Sequence, residues 1–426
     1  MNKLALHGGA PVIDRPLTPY RSVGAEESAA VQRVMQSGQL SGFIGSYDEG
    51  FWGGTEIQAF EAAWKKTFGV KHAISVNSNT SGLFASMGAV GVGPGDEVIV
   101  PPWTMSATAM APIVYGGIPV FVDIEPDTFC LDPKKVAAAI TPRTRAILAV
   151  NLFGHPAALS ELRGLADKHK IWLIEDNAQG PLATEFGRQA GTVGHIGVYS
   201  LNYHKHFHTG EGGVCVTSDD ALANRLMMIR NHGENAAEAL NVRDLSNLFG
   251  FNYRMTEMSA AVGIEQLKKA EKLVERRVQL GTRLSEAVKS IPGIMAPVVR
   301  TECRHVYYVW VARFDEKVVG VSRDAFARAL TAEGFPNCQG YVKPLYLLPI
   351  FQRRIGMGRE GFPFNLSQRR YDKGLCPVVE RMHEHETFEF SICSYELDES
   401  DFARMIEALH KVYAARESLR NEAAVR

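Results

Sequence analysis

Apolar and polar residues alternate along this chain in two rhythms. Helical spacing marks residues 25–36 and 55–66 near the start. Short apolar runs without internal alternation then appear at 72–76, 97–100, 120–123, 146–150 and 171–175. Helical stretches at 81–90, 105–115, 134–140 and 159–169 separate them. Strands that lack an apolar/polar alternation are buried on both faces, so this order predicts a mostly parallel sheet with helices on either side. The runs 197–200 and 213–217 lie close together around a glycine-rich segment, which predicts a short antiparallel or edge pairing. After a helix at 222–231, a Glu-, Lys- and Arg-rich helical segment runs from Thr256 to about Ile291. Beyond Pro292 the pattern changes to a strand at 306–314, a helix at 323–333 and a terminal helix at 398–415, a smaller α+β unit. The boundary is therefore expected inside the long helix, with a large domain over 1–270, including an N-terminal arm, and a small one over 271–426.

Composition narrows the function by exclusion. A net charge of -1 over 426 residues leaves no electrostatic footprint for nucleic acid or an anionic membrane. No apolar run is long enough to span a bilayer, and the N-terminus lacks an apolar core of secretory length. The six cysteines are scattered without a C-x-x-C pair, which argues against a zinc knuckle or disulfide framework and fits a reducing cytoplasm. No G-x-G-x-x-G follows an early strand, so a nicotinamide dehydrogenase is a poor match.

The chemistry concentrates at Lys205, in Tyr199-Ser-Leu-Asn-Tyr-His-Lys205-His-Phe-His-Thr-Gly-Glu-Gly-Gly213. Apolar surroundings lower an ammonium's affinity for its proton and leave an amine able to attack a carbonyl. Upstream, Ile171-Trp-Leu-Ile-Glu-Asp176-Asn-Ala-Gln179 ends an apolar strand on acids. A buried amine and a strand-end carboxylate are what a pyridoxal phosphate site needs, one for a Schiff base and one to face the pyridinium nitrogen. Val76-Asn-Ser-Asn79-Thr80-Ser-Gly runs from a strand into a helix whose N-terminus suits a phosphate, with Ser200 as a further contact. Trp103 follows the strand 97–100, where a flat ring can stack on it. The structural alternatives are a snorkelling lysine, a helix cap at Asn79, Thr80 or Asp176, and a core tryptophan. His204, His206 and His208 would share one face of a strand, but no supporting cysteine or carboxylate cluster accompanies them, and no metal is expected.

Taken with Gly93-Pro-Gly-Asp-Glu-Val-Ile-Val-Pro101, Asn252-Tyr-Arg-Met-Thr-Glu257, His305-Val-Tyr-Tyr308 and Cys376-Pro-Val-Val-Glu-Arg381, these segments make the chain resemble the DegT/DnrJ/EryC1/StrS sugar aminotransferases over nearly its whole length. The resemblance implies fold type I, the aspartate aminotransferase-like α/β architecture, with pyridoxal 5'-phosphate (PLP) as cofactor. By matching position, Lys205 carries the Schiff base and shuttles the proton, and Asp176 faces the ring nitrogen. Gln179 meets the phenolic oxygen, Trp103 stacks on the ring, and Asn79, Thr80 and Ser200 cup the phosphate. Asn252 reaches the phosphate from the neighbouring subunit, which implies a homodimer with shared sites. Asn79-Thr80 stands where the family usually has Gly-Thr. The implied reaction moves an amino group from glutamate or glutamine to a keto-sugar, nucleotide-linked as first choice, or to a keto-cyclitol. Tyr20, His305 and Tyr341 are candidates for the substrate, along with the 42–54 loop and Tyr346. A deoxysugar dehydratase on the same scaffold, in which histidine replaces the lysine, and a non-catalytic regulator are the alternatives.

Overall fold

The computed structural model describes residues 3–420. Its centre is a seven-stranded sheet: β1 (His72–Val76), β2 (Glu97–Val100), β3 (Ile118–Phe121), β4 (Thr144–Val150), β5 (Trp172–Asp176), β6 (Ile196–Ser200) and β7 (Gly213–Thr217). Their order across the sheet is β1-β7-β6-β5-β4-β2-β3. The pairings from β6 through β5, β4 and β2 to β3 are parallel. Only β7 runs the other way, antiparallel to both β1 and β6. The expected antiparallel pairing is present, but in the interior of the sheet. Strands β2 to β5 are buried almost without interruption because helices cover both faces.

The helix after β1, Asn79–Ala89, is capped by Ser78, whose hydroxyl accepts from the Ser81 amide. It packs hard on the sheet: a Cβ at Gly82 would stand 2.5 Å from Val198 Cγ1 and 2.9 Å from Cys215 Sγ. The helix expected over 105–115 starts later, at Ala107, so residues 101–106 form an irregular turn beyond β2.

The long helix Glu257–Val288, capped by the Thr256 hydroxyl, connects two apolar cores. Up to Val274 its buried apolar residues join the core of the large sheet, apart from Ala261, which packs with Ala30 and Val34, and from Leu280 they join a second core. The second core is built on a small antiparallel sheet ordered Ile294–Met295, Trp310–Phe314, Thr387–Phe390, Cys338–Gln339. It also takes in Leu4, Ile13 and Leu17, while residues from Leu345 to Met382 return to the first core. The strand expected over 306–314 is regular only from Trp310. The residues before it cross between the cores, with Tyr307 in the left-handed region at φ 49°. Among the described residues no helix is long and apolar enough to cross a membrane.

Candidate active site

Ligands of open parallel sheets sit beyond the carboxyl ends of the strands. In this molecule those ends, at Val150, Asp176 and Ser200, border a cleft that opens to solvent. The N-terminus of the helix Asn79–Ala89 forms one wall, with Ser78, Asn79 and Thr80. The first N–H groups of a helix have no partner within it and carry its positive end. Gly213 permits this arrangement, since a Cβ there would meet the Ser78 carbonyl carbon at 2.6 Å and the Asn79 nitrogen at 2.7 Å.

Asp176 is buried at the tip of β5. Its carboxylate accepts from Thr108 Oγ1 at 2.9 Å, Asn79 Nδ2 at 3.2 Å and the Ala178 amide at 3.2 Å. Burial still pushes it above the ordinary 3.8, against the pull of those donors and of the Lys205 charge. An additional cation beside it would be welcome. Gln179, one turn on, is fixed by its Oε1, which accepts from the Phe153 amide at 2.7 Å, and its Nε2 donates to Tyr341 Oη at 3.0 Å.

Lys205 is buried in the turn after β6, and its amine borders the cleft. Burial lowers it from 10.5 to about 8, with Asp176 and Cys393 opposing the shift. Far more of it is therefore free amine near neutral pH than an ordinary lysine would be, while the adjacent acid keeps the cleft polar. The segment that bears it is not a strand. Its turns send His206 inward, where Nε2 bonds the Val306 carbonyl at 2.8 Å, and leave His204 at the mouth of the cleft. The three histidines therefore do not share a face.

Asn79, Thr80, Asp176, Gln179, Ser200, Lys205 and Tyr341 meet in this one cleft, although they come from four separate stretches of chain. The remaining candidates do not line it. Trp103 is fully buried behind Tyr341, donates from Nε1 to the Val342 carbonyl at 2.8 Å, and packs edge-on against Phe129, Phe153 and Tyr341. Met105, two residues on, presents its side chain to the cleft instead, because the turn 101–106 carries the chain past the tryptophan before the helix begins. Tyr20 donates to the His206 carbonyl at 2.7 Å beneath the guanidinium of Arg277, bracing the lysine segment from behind. His305 is buried against His155 and Tyr307. Asn252 is exposed, accepting from Arg254 Nε at 2.8 Å, and stands away from the cleft of its own chain. Of the 42–54 loop, Phe51 is a core residue with Tyr47 and Trp52 packed on it, and Tyr346 is buried too. Thr108, Asn202, Glu211 and Tyr308 were not foreseen at the site. Threonine in a helix and tyrosine in an apolar run carry no signal of a cleft until the sheet assembles.

A buried amine, an acid and an amide at the carboxyl end of a parallel sheet, facing a helix N-terminus, define a pyridoxal phosphate-dependent transferase of the α/β class. The chain belongs to the DegT/DnrJ/EryC1/StrS aminotransferase family, whose model matches residues 22–387. It is 33% identical to the L-glutamine:2-deoxy-scyllo-inosose aminotransferase of Streptoalloteichus tenebrarius, over 96% of this chain and 97% of that protein. With the GDP-perosamine synthase of Caulobacter vibrioides it shares 36% identity, over 70% and 78% of the two chains. The structure of DesI in the presence of its TDP-sugar product superposes with a TM-score of 0.81 at 29% identity, covering 98% of this chain and 97% of that one.

PLP is the cofactor of this family, and the cleft fits it. Asn79 Oδ1 is buried there without a hydrogen-bond partner, the Asp176 carboxylate lacks a full counter-charge, and the helix start offers unpaired N–H groups to an anion.

Proposed function

We propose that this cleft transfers an amino group from glutamate or glutamine to the carbonyl of a keto-sugar or keto-cyclitol. The observation that carries the reading is the convergence of Lys205, Asp176 and Gln179 on one wall-to-wall pocket at the start of the helix Asn79–Ala89. When bound, PLP supplies an electrophilic carbon and a ring that delocalises the charge left by proton removal. The chain supplies the rest. Lys205 is the residue that would hold the cofactor's reactive carbon; once freed by the donor amine, its Nζ would carry the proton from the donor's Cα to that carbon. Asp176 would keep the ring nitrogen protonated, Gln179 would orient the phenolic oxygen, and Asn79, Thr80 and Ser200 would hold the phosphate. Met105, which lines the cleft, would take the place beside the ring first assigned to Trp103. Tyr341 lies where an acceptor must pass, held by Gln179. A lysine at 205 supports transamination over the dehydratase alternative.

The acceptor class is supported by relatives named for an inosose and for a GDP-linked and a TDP-linked sugar. Asn252, exposed and outside its own cleft, suits a homodimer in which Asn252 of the partner subunit completes each phosphate site. The division of the chain near residue 270 and a cytoplasmic location, where six free thiols persist, belong to the same reading. The test has two halves. Purified protein loaded with PLP is mixed with L-glutamate or L-glutamine, and conversion of the visible absorption is followed. Keto-sugars and keto-cyclitols are then added, and amine products are identified by mass spectrometry. Conversion by a donor with no amine formed from any such acceptor would discard the acceptor class; no conversion by either donor would discard the donors.

A further inference from the structure

Among the described residues no hydrogen bond or ion pair engages Lys205 Nζ; the amine lies 4.1 Å from the centre of the Tyr308 ring, over its face. The backbone that delivers this ring is unusual. Tyr307 and Phe153 both adopt positive φ, 49° and 58°, and dock against each other across the junction of the two cores. The Val306 amide donates to the Gly154 carbonyl at 2.9 Å, and the Tyr308 amide donates to the Phe153 carbonyl at 2.8 Å. Gly154, at φ 97°, allows the approach, since a Cβ there would stand 2.9 Å from the Tyr307 nitrogen and 3.0 Å from that of Tyr308. Neighbouring side chains consequently part company: Tyr307 fills the second core against Gly281, and Tyr308 turns into the cleft. Non-glycine residues in this region of backbone space persist only where their surroundings over-determine them, and such strain gathers at functional sites.

We propose that Tyr308 is a positioning residue for Lys205, its ring face holding Nζ in the cleft whenever the amine is not bonded to the cofactor. The inference rests on the reading of Lys205 as the reactive amine. An aromatic face attracts an ammonium ion without taking its proton and without adding a second charge to a buried site. A carboxylate in the same place would lock the lysine as an ion pair; an aliphatic side chain would leave the displaced amine free to swing away. The ring also favours the ammonium over the amine, so it tempers the effect of burial that brings Lys205 to about 8. The groups that share this environment are Asp176, Cys393, His204 and His206 around the lysine, and Tyr341, Cys393 and Tyr203 around the tyrosine.

The experiment uses cofactor-free protein and an amine-acylating reagent, with modification of Lys205 read by peptide mass spectrometry across a range of pH. Position 308 is varied as Tyr308→Phe and then as phenylalanines with one, two and three ring fluorines. These nearly conserve size and burial while draining charge from the ring face. Tyr308→Phe is expected to label within about twofold of the parent, because the face is kept. Successive fluorines are expected to speed labelling at neutral pH, by roughly fivefold in all, and to move half-maximal labelling to lower pH. A rate indifferent to fluorination overturns the proposal, and so does a shift to higher pH, which would make the ring a water barrier only. Borohydride reduction of the PLP-loaded protein tests the reading beneath it. A cofactor label on Lys205 sustains that reading, whereas a label on another residue removes it, and the proposal with it.

Discussion

Glu175 and Asp176 are consecutive residues of one strand, both buried and both pushed above their ordinary values by burial, yet their surroundings differ in kind. Successive strand residues face opposite sides of a sheet. On one side, Glu175 accepts from the amides of Gly191, Val193 and Gly194 at 2.5, 2.8 and 2.5 Å and from Asn151 Nδ2 at 3.2 Å. Three of these donors belong to the backbone of one loop and cannot turn round. On the other side, the donors to Asp176 include a rotatable threonine hydroxyl and an asparagine amide, and the cleft with Lys205 lies in front. The first acid ties a loop to the sheet; the second is held by adjustable partners at the edge of an open space. Burial and a raised proton affinity alone do not separate an acid that ties a loop to the sheet from one that faces an open cleft. The kind of donor and the presence of a cleft do.

The widest gap between the two sides opens with the amine that only Asp176 faces. Lys205→Ala is expected to lower turnover by roughly 10³-fold, the scale of losing a positioned base, and to abolish borohydride trapping of the cofactor. Comparable turnover in steady-state assays would remove Lys205 from the chemistry. Asp176→Asn follows, with a loss of roughly 10²-fold expected from removing a buried charge that is aimed at the reacting system. Its stability should move the other way. The folded carboxyl titrates above 3.8, so the ionised acid costs cofactor-free protein stability increasingly as pH rises from 3.8 through the folded value. The asparagine lacks that cost. Thr108 can turn its hydroxyl, and Asn79 can flip its amide to offer the Oδ1 that has no partner. Thermal unfolding of cofactor-free protein at mildly acidic and neutral pH checks this: the variant should equal or exceed the parent at neutral pH and lose the parent's decline.

Across the strand the expectation reverses. Glu175→Gln sets an NH2 group against fixed backbone N–H donors, which should cost about 2 kcal/mol of stability while leaving turnover per folded molecule nearly intact. Denaturant unfolding and active-site titration measure the two separately. A stable variant with crippled turnover would erase the distinction drawn between the two acids.

The same distinction explains what could be read from the chain alone. Strands β1, β2, β4 and β5 fall within a residue or two of their apolar runs because burial on both faces leaves an unbroken signal. That Lys205, Asp176 and Gln179 belong to one cleft was legible because polar residues stand out against such runs. Trp103 was misplaced because large aromatics suit a core and a ring site equally, and the turn at 101–106 that decides between them has no periodicity. Glu175 carries no mark that separates it from Asp176. Its role depends on a loop brought back fifteen to twenty residues later to donate three amides. Tyr308 lies in an apolar run that reads as one strand, and only the left-handed backbone at Tyr307 turns it into the cleft.

The smallest effect probes how far Asp176 depends on its movable donors. Thr108 Oγ1 donates to Asp176 Oδ2 at 2.9 Å from a fully buried position in the helix Ala107–Val114. Thr108→Val keeps the shape and removes the hydrogen bond, so the carboxylate loses one donor that favours its charged form and titrates higher still. With PLP bound, a protonated ring nitrogen beside the carboxylate would take over much of the stabilisation of its negative charge that the hydroxyl provided. Turnover is therefore expected to fall only about fivefold, with the acid limb of the pH–rate profile displaced upward. Thr108→Ser, which restores the hydroxyl, should recover both. A fall in rate with no displacement of the acid limb would assign Thr108 to packing of the helix, leaving the Asn79 amide and the Ala178 N–H as the donors that tune the acid.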